Sequence, residues 1–367
     1  MIRCQTCCMP NTRPDTPFTG GICSACHSHA KRKDIDWDGR KKDLLALLGR
    51  HNGRCIVPSS GGKDSTFQVM TLKALGADVT VVTATTCHLT PIGRANIDNL
   101  ARHARTIEYS PNKIVRAKLN RAGLEMVGDA SWPEHVSIFT TPFRAAMQLG
   151  IPLIFFGENP QALYGGPPGS EEAMTMTRRW VSEFGGFLGL RPVDLIGYDG
   201  ITERDMADYM TLPDMQVDGE SLEAHFLGQY VPWDSHKNAE VAYLAGMRGE
   251  YPTPANWWCS ENQDNAQTGL RDYLMFRKYG FGRGCQQISV DVRNGLISRA
   301  EAIKWIKMFD GGFPAVYAGV PIREVLERIG ITTGQLHRIM DRFTSWELFR
   351  RVVDDQEALP MLLNWGE

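Results

Sequence analysis

The sequence predicts an α/β protein built on a parallel sheet, with a zinc ribbon before the sheet and a mainly helical region after it. Three observations lead to this prediction. Short apolar runs alternate with amphipathic stretches in the middle of the chain, cysteine pairs crowd its start, and helical periodicity marks its end. We expect three domains, at residues 1–35, 36–235 and 236–367.

The expected strands of the central domain are short and apolar, and helical patterns separate them. Strands are predicted at residues 55–57, 79–83, 106–109 and 152–157, with a fifth at 225–231. Helices are predicted at residues 43–50, 64–76, 96–104, 113–127 and 142–149. Because parallel sheets bind ligands at the carboxyl ends of their strands, the loops after the first and fourth strands mark the expected ligand edge.

Charge and hydropathy exclude several classes of protein. The 367 residues include 40 Lys and Arg against 42 Asp and Glu, so the net charge is −2. A dedicated nucleic-acid binder usually has a basic excess, so no nucleic acid is expected as a partner. No apolar run is long enough to cross a membrane, and no signal peptide is recognisable. We therefore expect a cytoplasmic protein without a membrane partner.

Two cysteine pairs near the start predict a structural metal site. Cys4 and Cys7 form one C-x2-C pair, and Cys23 and Cys26 form the other. This pattern is typical of tetrahedral zinc, and four thiolates fill its coordination shell, which indicates a structural ion. Four free thiols and an iron–sulfur cluster are the alternatives. The basic run that follows, at residues 31–33, is expected to be a solvated linker.

The segment Ser-Gly-Gly-Lys-Asp-Ser at residues 60–65 is the most informative in the chain. Its glycines let backbone N–H groups approach an anion, and the helix that begins there adds the positive end of its dipole. A carboxylate in the same segment can help to hold Mg2+. The segment is not a Walker A loop, which requires G-x-x-x-x-G-K-[ST]. The residues expected to bind phosphate and metal are Ser60, Gly61, Gly62, Lys63, Asp64 and Ser65.

After a predicted strand and before a predicted helix, this segment resembles the S-G-G-x-D-S signature of the PP-loop ATP pyrophosphatases. The resemblance implies a PP-loop fold of the adenine nucleotide α-hydrolase type, in which the loop holds the pyrophosphate end of ATP. It also implies that AMP is transferred to a carbonyl or carboxyl oxygen and that pyrophosphate is released. The expected cofactors are therefore ATP, Mg2+ and a structural Zn2+ ion.

A narrower resemblance is to the N-acetyl-sugar amidotransferases of lipopolysaccharide and related surface-sugar biosynthesis. The cysteine-rich start, the Gly-Glu-Asn-Pro segment at residues 157–160 and residues 227–234 support it. Further matches lie at residues 279–283 and 291–303, whereas residues 167–223 contain no recognisable motif.

This resemblance implies that the acetamido group of a nucleotide-activated sugar is converted to an acetamidino group. ATP would adenylate the amide oxygen, and ammonia would then displace AMP. The expected catalytic residues are Lys63, Asp64 and Glu158. Additional nucleotide contacts are expected at Gly157 and Asn159, and contacts with the sugar nucleotide at Lys278, Arg283 and Arg293.

The ammonia is expected to come from a separate glutaminase. A glutaminase needs an activated nucleophile such as cysteine, and no cysteine here lies in a G-x-C-x-G elbow or follows Met1. The resemblance also implies a glutaminase subunit and a cyclase-like barrel partner similar to those of histidine biosynthesis.

Two other functions fit parts of the sequence. A PP-loop tRNA-modifying enzyme, such as a thiolase, would use cysteines of its ATP domain, where Cys55 and Cys87 are isolated. A DNA-binding regulator would use the helix-turn-helix pattern at residues 322–343, which equally fits an ordinary helical hairpin.

Overall fold

A five-stranded parallel sheet forms the centre of the fold. The computed structural model describes residues 1–211, 222–249, 253–354 and 357–363. After the short strands β1 (Phe18–Thr19) and β2 (Ile22–Cys23), the sheet contains β3 (Arg54–Pro58), β4 (Asp78–Ala84), β5 (Arg105–Tyr109), β6 (Leu153–Phe156) and β7 (Glu223–Phe226). Its strand order is β5-β4-β3-β6-β7, and every neighbouring pair is parallel. The predicted parallel sheet is therefore confirmed.

The first four predicted strands coincide with β3 to β6 to within two residues at either end. Cys55, Ile56 and Val57 of β3 are fully buried, because helices cover both faces of the sheet. The fifth strand was misplaced: β7 starts at Glu223 and ends at Phe226, where the chain enters a 3-10 helix at Leu227–Gln229.

Helices surround the sheet and make up most of the remaining structure. Those up to the end of the sheet are α1 (Ser24–Lys31), α2 (Trp37–Arg50), α3 (Lys63–Ala74), α4 (Pro91–Leu100), α5 (Lys113–Val127), α6 (Trp132–Leu149), α7 (Pro160–Tyr164), α8 (Arg178–Phe184) and α9 (Glu203–Met206). Those after it are α10 (Ser235–Leu244), α11 (Thr268–Tyr279), α12 (Arg283–Arg293), α13 (Arg299–Phe309), α14 (Ile322–Ile329) and α15 (Thr333–Phe343). In the described part of the chain, none of the helices combines the length and the hydropathy needed to cross a bilayer.

Three of these helices begin well before the residue that the sequence predicts. The first is α2, which is predicted from residue 43 but starts at Trp37, because Asp36 caps it by accepting from the Gly39 N–H. Thr90 caps α4, because its Oγ1 accepts a hydrogen bond from the Gly93 N–H at 3.0 Å, so the helix begins at Pro91. The sequence predicts a helix that starts at Pro142, yet α6 starts at Trp132 and passes through this proline. A proline inside a helix removes one backbone hydrogen bond and often ends the helix, but here the long buried face outweighs that loss.

Two hydrophobic cores cover the two faces of the sheet. Alternate residues of a strand point to opposite faces. Ile56 and Ile154 therefore belong to a core with α5 and α6, whereas Val57 and Phe155 belong to a core with α2 and α3. The carboxyl ends of the strands remain uncovered between these two layers and form the floor of the site described below.

The segment with the four predicted metal ligands, residues 1–35, is packed on the C-terminal region. Cys4 and Cys26 share a core with Phe281, Ile288 and Ile306, which lie on or beside α12 and α13. The Arg299 Nε–H donates to the carbonyl oxygens of Cys4 and Cys7, each at 3.0 Å. We call residues 1–35 the cysteine module. The predicted domain boundaries stay a prediction.

The C-terminal region is mainly helical, as predicted, with two added hairpins of antiparallel strands. These are β8 (Val316–Tyr317) with β9 (Val320–Pro321) and β10 (Phe349–Asp354) with β11 (Glu357–Leu362). The helix-turn-helix pattern corresponds to α14 and α15, whose Leu326, Ile329 and Leu336 pack with Leu270 and Leu274 of α11. The apolar faces that define this pattern are therefore used for packing.

Replacement of Trp132 by Ala is expected to destabilise the fold by about 3–5 kcal/mol, the usual cost of removing a fully buried tryptophan. Trp132 also donates its indole N–H to the Phe187 carbonyl oxygen at 3.1 Å. Met147→Ala on the same helix is the control, since Met147 is exposed. Urea denaturation measures both variants, and equal losses of stability would contradict the packing described here.

Candidate active site

A cleft of about 530 Å3 opens at the carboxyl ends of the parallel strands. Its lining includes the loop after β3, residues 156–158 at the end of β6, part of α6, and residues 260–265, which come from the C-terminal region. The predicted ligand edge therefore faces a wall whose residues come about two hundred positions later in the sequence. Of the predicted residues, the cleft is lined by Ser60, Gly62, Lys63, Asp64, Ser65, Gly157, Glu158 and Arg283.

Hydroxyl groups fix the glycine-rich loop between β3 and α3. The Ser59 hydroxyl donates to Ser65 Oγ at 2.7 Å and accepts from the Gly61 N–H at 2.8 Å. Gly61 has a φ of +82°, and a Cβ there would lie 2.7 Å from the backbone nitrogen of Ile97. Only glycine fits at position 61. Gly62, by contrast, has a φ of −76° and precedes the first turn of α3.

Lys63 is a buried cation held by two carboxylates. Its side chain is 2% exposed, and its Nζ lies 2.7 Å from Asp64 Oδ2 and 2.8 Å from Glu261 Oε1. The ammonium group also lies over the Trp258 ring, 5.6 Å from its centroid. Burial opposes the charge, yet Asp64 and Glu261 outweigh it and hold the pKa of Lys63 above its usual range. Lys63 is therefore a permanent positive charge at the base of the loop.

The carboxylate of Asp64 remains accessible from the cleft. Its side chain is 39% exposed, and its second oxygen accepts from the Asn238 amide at 3.1 Å. Asn238 is buried on α10, which packs along α3, so the Asp64 side chain is held from two sides. An oriented and accessible carboxylate next to a phosphate-type loop is the kind of ligand that Mg2+ prefers.

Glu158 occupies the opposite side of the loop, at the end of β6. Its side chain is 7% exposed, and its Oε1 lies 2.9 Å from Arg32 Nη1. The other oxygen, Oε2, has no hydrogen-bond partner among the described residues. Burial raises the pKa of Glu158 to about 7, because desolvation outweighs the nearby charges of Arg32 and Lys63. A carboxyl group that titrates near neutrality suits proton transfer.

Two residues of this site were missed by sequence reasoning. Glu261 follows the Trp257-Trp258 pair, and no motif marks it as the partner of Lys63. Arg32 lies in the basic run that was expected to be a solvated linker, and that expectation is wrong for Arg32 because it pairs with Glu158. Both contacts join segments far apart in the sequence, so local patterns contain no signal for them.

The remaining predicted residues lie in different surroundings. Arg283 lines the cleft and lies over the Tyr164 ring at 5.9 Å. Asn159 is fully buried, and its side chain caps α7 by accepting from the Gln161 N–H at 3.0 Å. Lys278 and Arg293 do not line the cleft and donate to backbone carbonyl oxygens of Gly128 and Leu163. The predicted ligand contacts of these last three residues stay predictions without support from the geometry of the cleft.

The four predicted metal ligands are brought together in the cysteine module. The Sγ atoms of Cys4, Cys7, Cys23 and Cys26 all lie within 4.8 Å of one another, and all four residues are buried. The Cys4–Cys26 and Cys7–Cys23 sulfur distances are both 3.7 Å. A tetrahedral zinc ion with Zn–S bonds of about 2.3 Å requires sulfur separations of about 3.8 Å. The donor set therefore fits a structural zinc ion.

The fold and the loop together define the class of this protein. A glycine-rich S-G-G-x-D-S segment that follows the central strand of a five-stranded parallel sheet is the arrangement of a PP-loop protein. Residues 251–359 match the family described as "LPS biosynthesis protein WbpG-like, C-terminal domain". This matched segment, which we call the WbpG-like segment, provides Glu261 and Arg283 to the cleft.

Two solved structures share a low similarity with this chain. NMN synthetase from Francisella tularensis is 12% identical, with 59% of this chain and 89% of that chain covered and a TM-score of 0.28. The NH3-dependent NAD synthetase from Campylobacter jejuni, in complex with nitrate, is 13% identical, with 59% and 100% covered and a TM-score of 0.29. A comparison with curated proteins finds no match.

Replacement of Cys23 by Ser is expected to abolish stoichiometric zinc binding, because three thiolates leave the tetrahedral shell incomplete. Metal analysis of protein purified without chelators should give one zinc per wild-type chain. Cys8→Ser is the matched control, since Cys8 is equally buried but lies outside the four-sulfur cluster. Zinc-free wild-type protein, or full retention in a Cys4/Cys23 double variant, would contradict the assignment.

The two loop glycines are expected to respond differently to substitution. Gly62→Val should weaken ATP binding at least tenfold with little loss of thermal stability, because a Cβ at position 62 lies no closer than 3.5 Å to Ser60 Oγ. Gly61→Ala should lower the melting temperature, because its φ is positive and its Cβ would clash with α4. Calorimetric titration with ATP and thermal melting measure the two effects. Equal behaviour of both variants would contradict the loop geometry.

Proposed function

We propose that this protein is an ATP-dependent amidotransferase that converts the acetamido group of a nucleotide-activated sugar to an acetamidino group. The observation that supports the proposal best is the composition of the cleft. A PP-loop with a buried cation, a carboxyl group that titrates near neutrality, and a wall from the WbpG-like segment meet in one space. The role in lipopolysaccharide biosynthesis follows from the description of the matched family.

In the first step, the acetamido oxygen attacks the α-phosphorus of ATP, and pyrophosphate leaves. In this proposal the loop amides and Lys63 neutralise the pyrophosphate, and the α3 N-terminus adds its dipole. Amide resonance makes the carbonyl carbon a poor electrophile, and adenylation of the oxygen turns it into a leaving group. In the second step, ammonia adds to this carbon, and AMP departs with the former amide oxygen.

Glu158 supplies the proton transfer that the second step needs. The nitrogen of ammonia gains a positive charge when it bonds to carbon and must then lose a proton. Glu158 lines the cleft, its Oε2 has no hydrogen-bond partner among the described residues, and in this proposal that oxygen accepts the proton when the carboxyl group is ionised. The group is partly protonated near pH 7, so it also returns the proton readily.

The two metal ions have separate roles in this proposal. Asp64, with its accessible carboxylate, would hold Mg2+ against the ATP phosphates, where the ion neutralises negative charge. Zinc in the cysteine module would be structural, since its four thiolate ligands leave no open position.

The ammonia would come from a separate glutaminase, docked together with a cyclase-like barrel partner. The alternative function, a PP-loop thiolase that modifies tRNA, is less well supported. No cysteine is among the described residues that line the cleft, and Cys55 is buried inside β3. A DNA-binding role for α14 and α15 has no support beyond their hairpin shape.

Mass spectrometry tests the reaction directly. The protein is incubated with ATP, Mg2+, ammonium and candidate nucleotide-activated N-acetyl sugars, and the expected product is about one mass unit lighter because NH replaces O. AMP and pyrophosphate should form in equal amounts, whereas ADP and phosphate would contradict the proposal. High ammonium should support the reaction and glutamine alone should not. Efficient glutamine hydrolysis by the isolated chain would refute the separate glutaminase.

The rate is expected to fall below neutral pH as Glu158 becomes protonated. The pKa of Glu158 is raised to about 7, so the carboxylate is lost as the pH drops through this value and the rate falls up to tenfold per pH unit. Glu158→Gln should be slow at every pH and lack this acidic limb. A pH profile of pyrophosphate release at saturating ammonia measures this acidic limb. An unchanged limb in the Glu158→Gln variant would exclude Glu158 as the group that causes it.

A further inference from the structure

A second cavity, of about 690 Å3, lies at the carboxyl ends of β4 and β5. Thr85 and Thr86 line it where β4 ends, and Ser110 lines it where β5 ends. The α14 helix of the WbpG-like segment closes it with residues 327–330. This volume lies within the range of small-molecule pockets, about 300–1,000 Å3. The cavity is distinct from the cleft described above.

Five cationic and two acidic side chains line this second cavity, which we call the basic cavity. The cations are Lys113, Arg116, Lys118, Arg121 and Arg328. Asp199 neutralises part of this charge, since its Oδ2 lies 3.7 Å from Lys118 Nζ and 2.6 Å from Arg121 Nη2.

Lys113 and Arg328 contribute charge that no acidic side chain of the described residues pairs with. Within the described ranges of the chain, no carboxylate oxygen forms an ion pair with either of them. Glu327 also lines the cavity, but it pairs with Arg323, at 3.6 Å. These two cations lie in the same cavity as Lys118 and Arg121, which Asp199 neutralises only in part. Together they form a site for a multiply charged anion.

The basic cavity adjoins the cleft. Thr86 lines both spaces. Behind it, Arg116 lines the basic cavity and Glu134 lines the cleft, and their side chains form a buried ion pair at 3.2 Å. The two spaces therefore meet at Thr86.

We propose that the basic cavity binds the diphosphate of the sugar nucleotide, with the acetamido sugar extending past Thr86 towards the PP-loop. The assignment rests on the proposed function for its substrate class. Its physical basis is that two nucleotides must bind at once. ATP fills the phosphate ligands of the PP-loop, and a second diphosphate is repelled by the first unless it has cations of its own. Lys113 and Arg328 provide them, and α14 brings one of them from the WbpG-like segment.

UDP is the probe for this site, and calorimetric titration without ATP measures its affinity. The double variant Lys113→Glu/Arg328→Gln is expected to bind UDP at least tenfold more weakly, with unchanged ATP affinity and melting temperature. Lys42→Glu is the control, because Lys42 is an exposed lysine of α2 outside both cavities. It should bind UDP like the wild type.

Three results would overturn the assignment: no UDP binding by the wild type, unchanged UDP affinity in the double variant, or a loss caused by Arg283→Gln in the cleft instead. Failure of the proposed function is distinguishable from these. If UDP binds as expected but no sugar is converted, the site stands and the reaction does not.

A second inference comes from the cysteine module, which also contacts the wall of the cleft. The Ser24 hydroxyl accepts from the Gly166 N–H at 3.3 Å, and Arg13 donates to the carbonyl oxygen of Tyr164, which lines the cleft. Lys31 forms an ion pair with Glu172 at 3.2 Å. The module therefore supports the segment that follows Glu158.

Arg32 is the residue of the cysteine module that contacts Glu158 directly. One of its terminal nitrogens donates to Glu158 Oε1 at 2.9 Å, and the other donates to the Trp233 carbonyl oxygen at 3.1 Å. This second contact fixes the guanidinium plane, so Arg32 restrains Oε1, whereas the buried Oε2 has no hydrogen-bond partner among the described residues.

We infer that Arg32 is a positioning residue through which the cysteine module orients Glu158 for proton transfer. The charged groups that act on Glu158 are Arg32 from the module and Lys63 and Asp64 from α3. Loss of Arg32 removes a cation from a buried carboxyl group, so protonation of that group becomes easier. A structural role of the zinc site alone would not affect the titration of Glu158.

Infrared spectroscopy tests this inference without an activity assay. At pH 7, Arg32→Ala should show a stronger band of protonated carboxyl groups than the wild type, and the excess should vanish in an Arg32→Ala/Glu158→Gln double variant. The acidic limb of the rate should also move to higher pH, and Arg32→Lys should restore part of the shift. Lys33→Ala, next to Arg32 and exposed, is the control. An unchanged band and an unchanged limb in a folded Arg32→Ala variant would refute the inference.

Discussion

The ion pair between Lys63 and Glu261 is the interaction on which the assembly of this protein depends. An ammonium group buried to 2% exposure costs several kcal/mol of desolvation unless carboxylates compensate it. Asp64 provides part of that compensation from the loop itself. Glu261 provides the rest from the WbpG-like segment, at 2.8 Å. The loop therefore reaches its electrostatically satisfied form only when the C-terminal region is packed against the sheet.

On the opposite wall of the cleft, a buried acidic group is compensated by a cation from a distant segment. Glu158 is a largely buried carboxyl group, and its cation comes from the cysteine module. A structural zinc ion typically contributes about 10–16 kcal/mol of apparent binding free energy to the folding of such a module. That free energy would be available to hold Arg32 in place against the mobility of a short segment. The cysteine module and the WbpG-like segment thus each deliver one charge to a site that the central sheet alone leaves incomplete.

The parts predicted from sequence are those whose signals are local. A short apolar run marks the strand of Cys55 to Val57, and two adjacent glycines mark the phosphate-type loop. The spacing within each cysteine pair marks the four metal ligands. The parts that were missed depend on contacts across the chain. Glu261 and Arg32 have ordinary neighbours in the sequence, and only the fold places them at the site. The start of α6 was missed for a related reason, because tertiary burial of Trp132 and its neighbours outweighs the local signal of Pro142.

The transfer of the acetamido oxygen to AMP is the central claim of this account. The most direct test labels that oxygen with 18O in a nucleotide-activated N-acetyl sugar, runs the reaction with ATP, Mg2+ and ammonium, and analyses the products by mass spectrometry. The account predicts that the label appears in AMP, because the amide oxygen bonds to the α-phosphorus and leaves with it. Label in inorganic phosphate, or in water with unlabelled AMP, would contradict it.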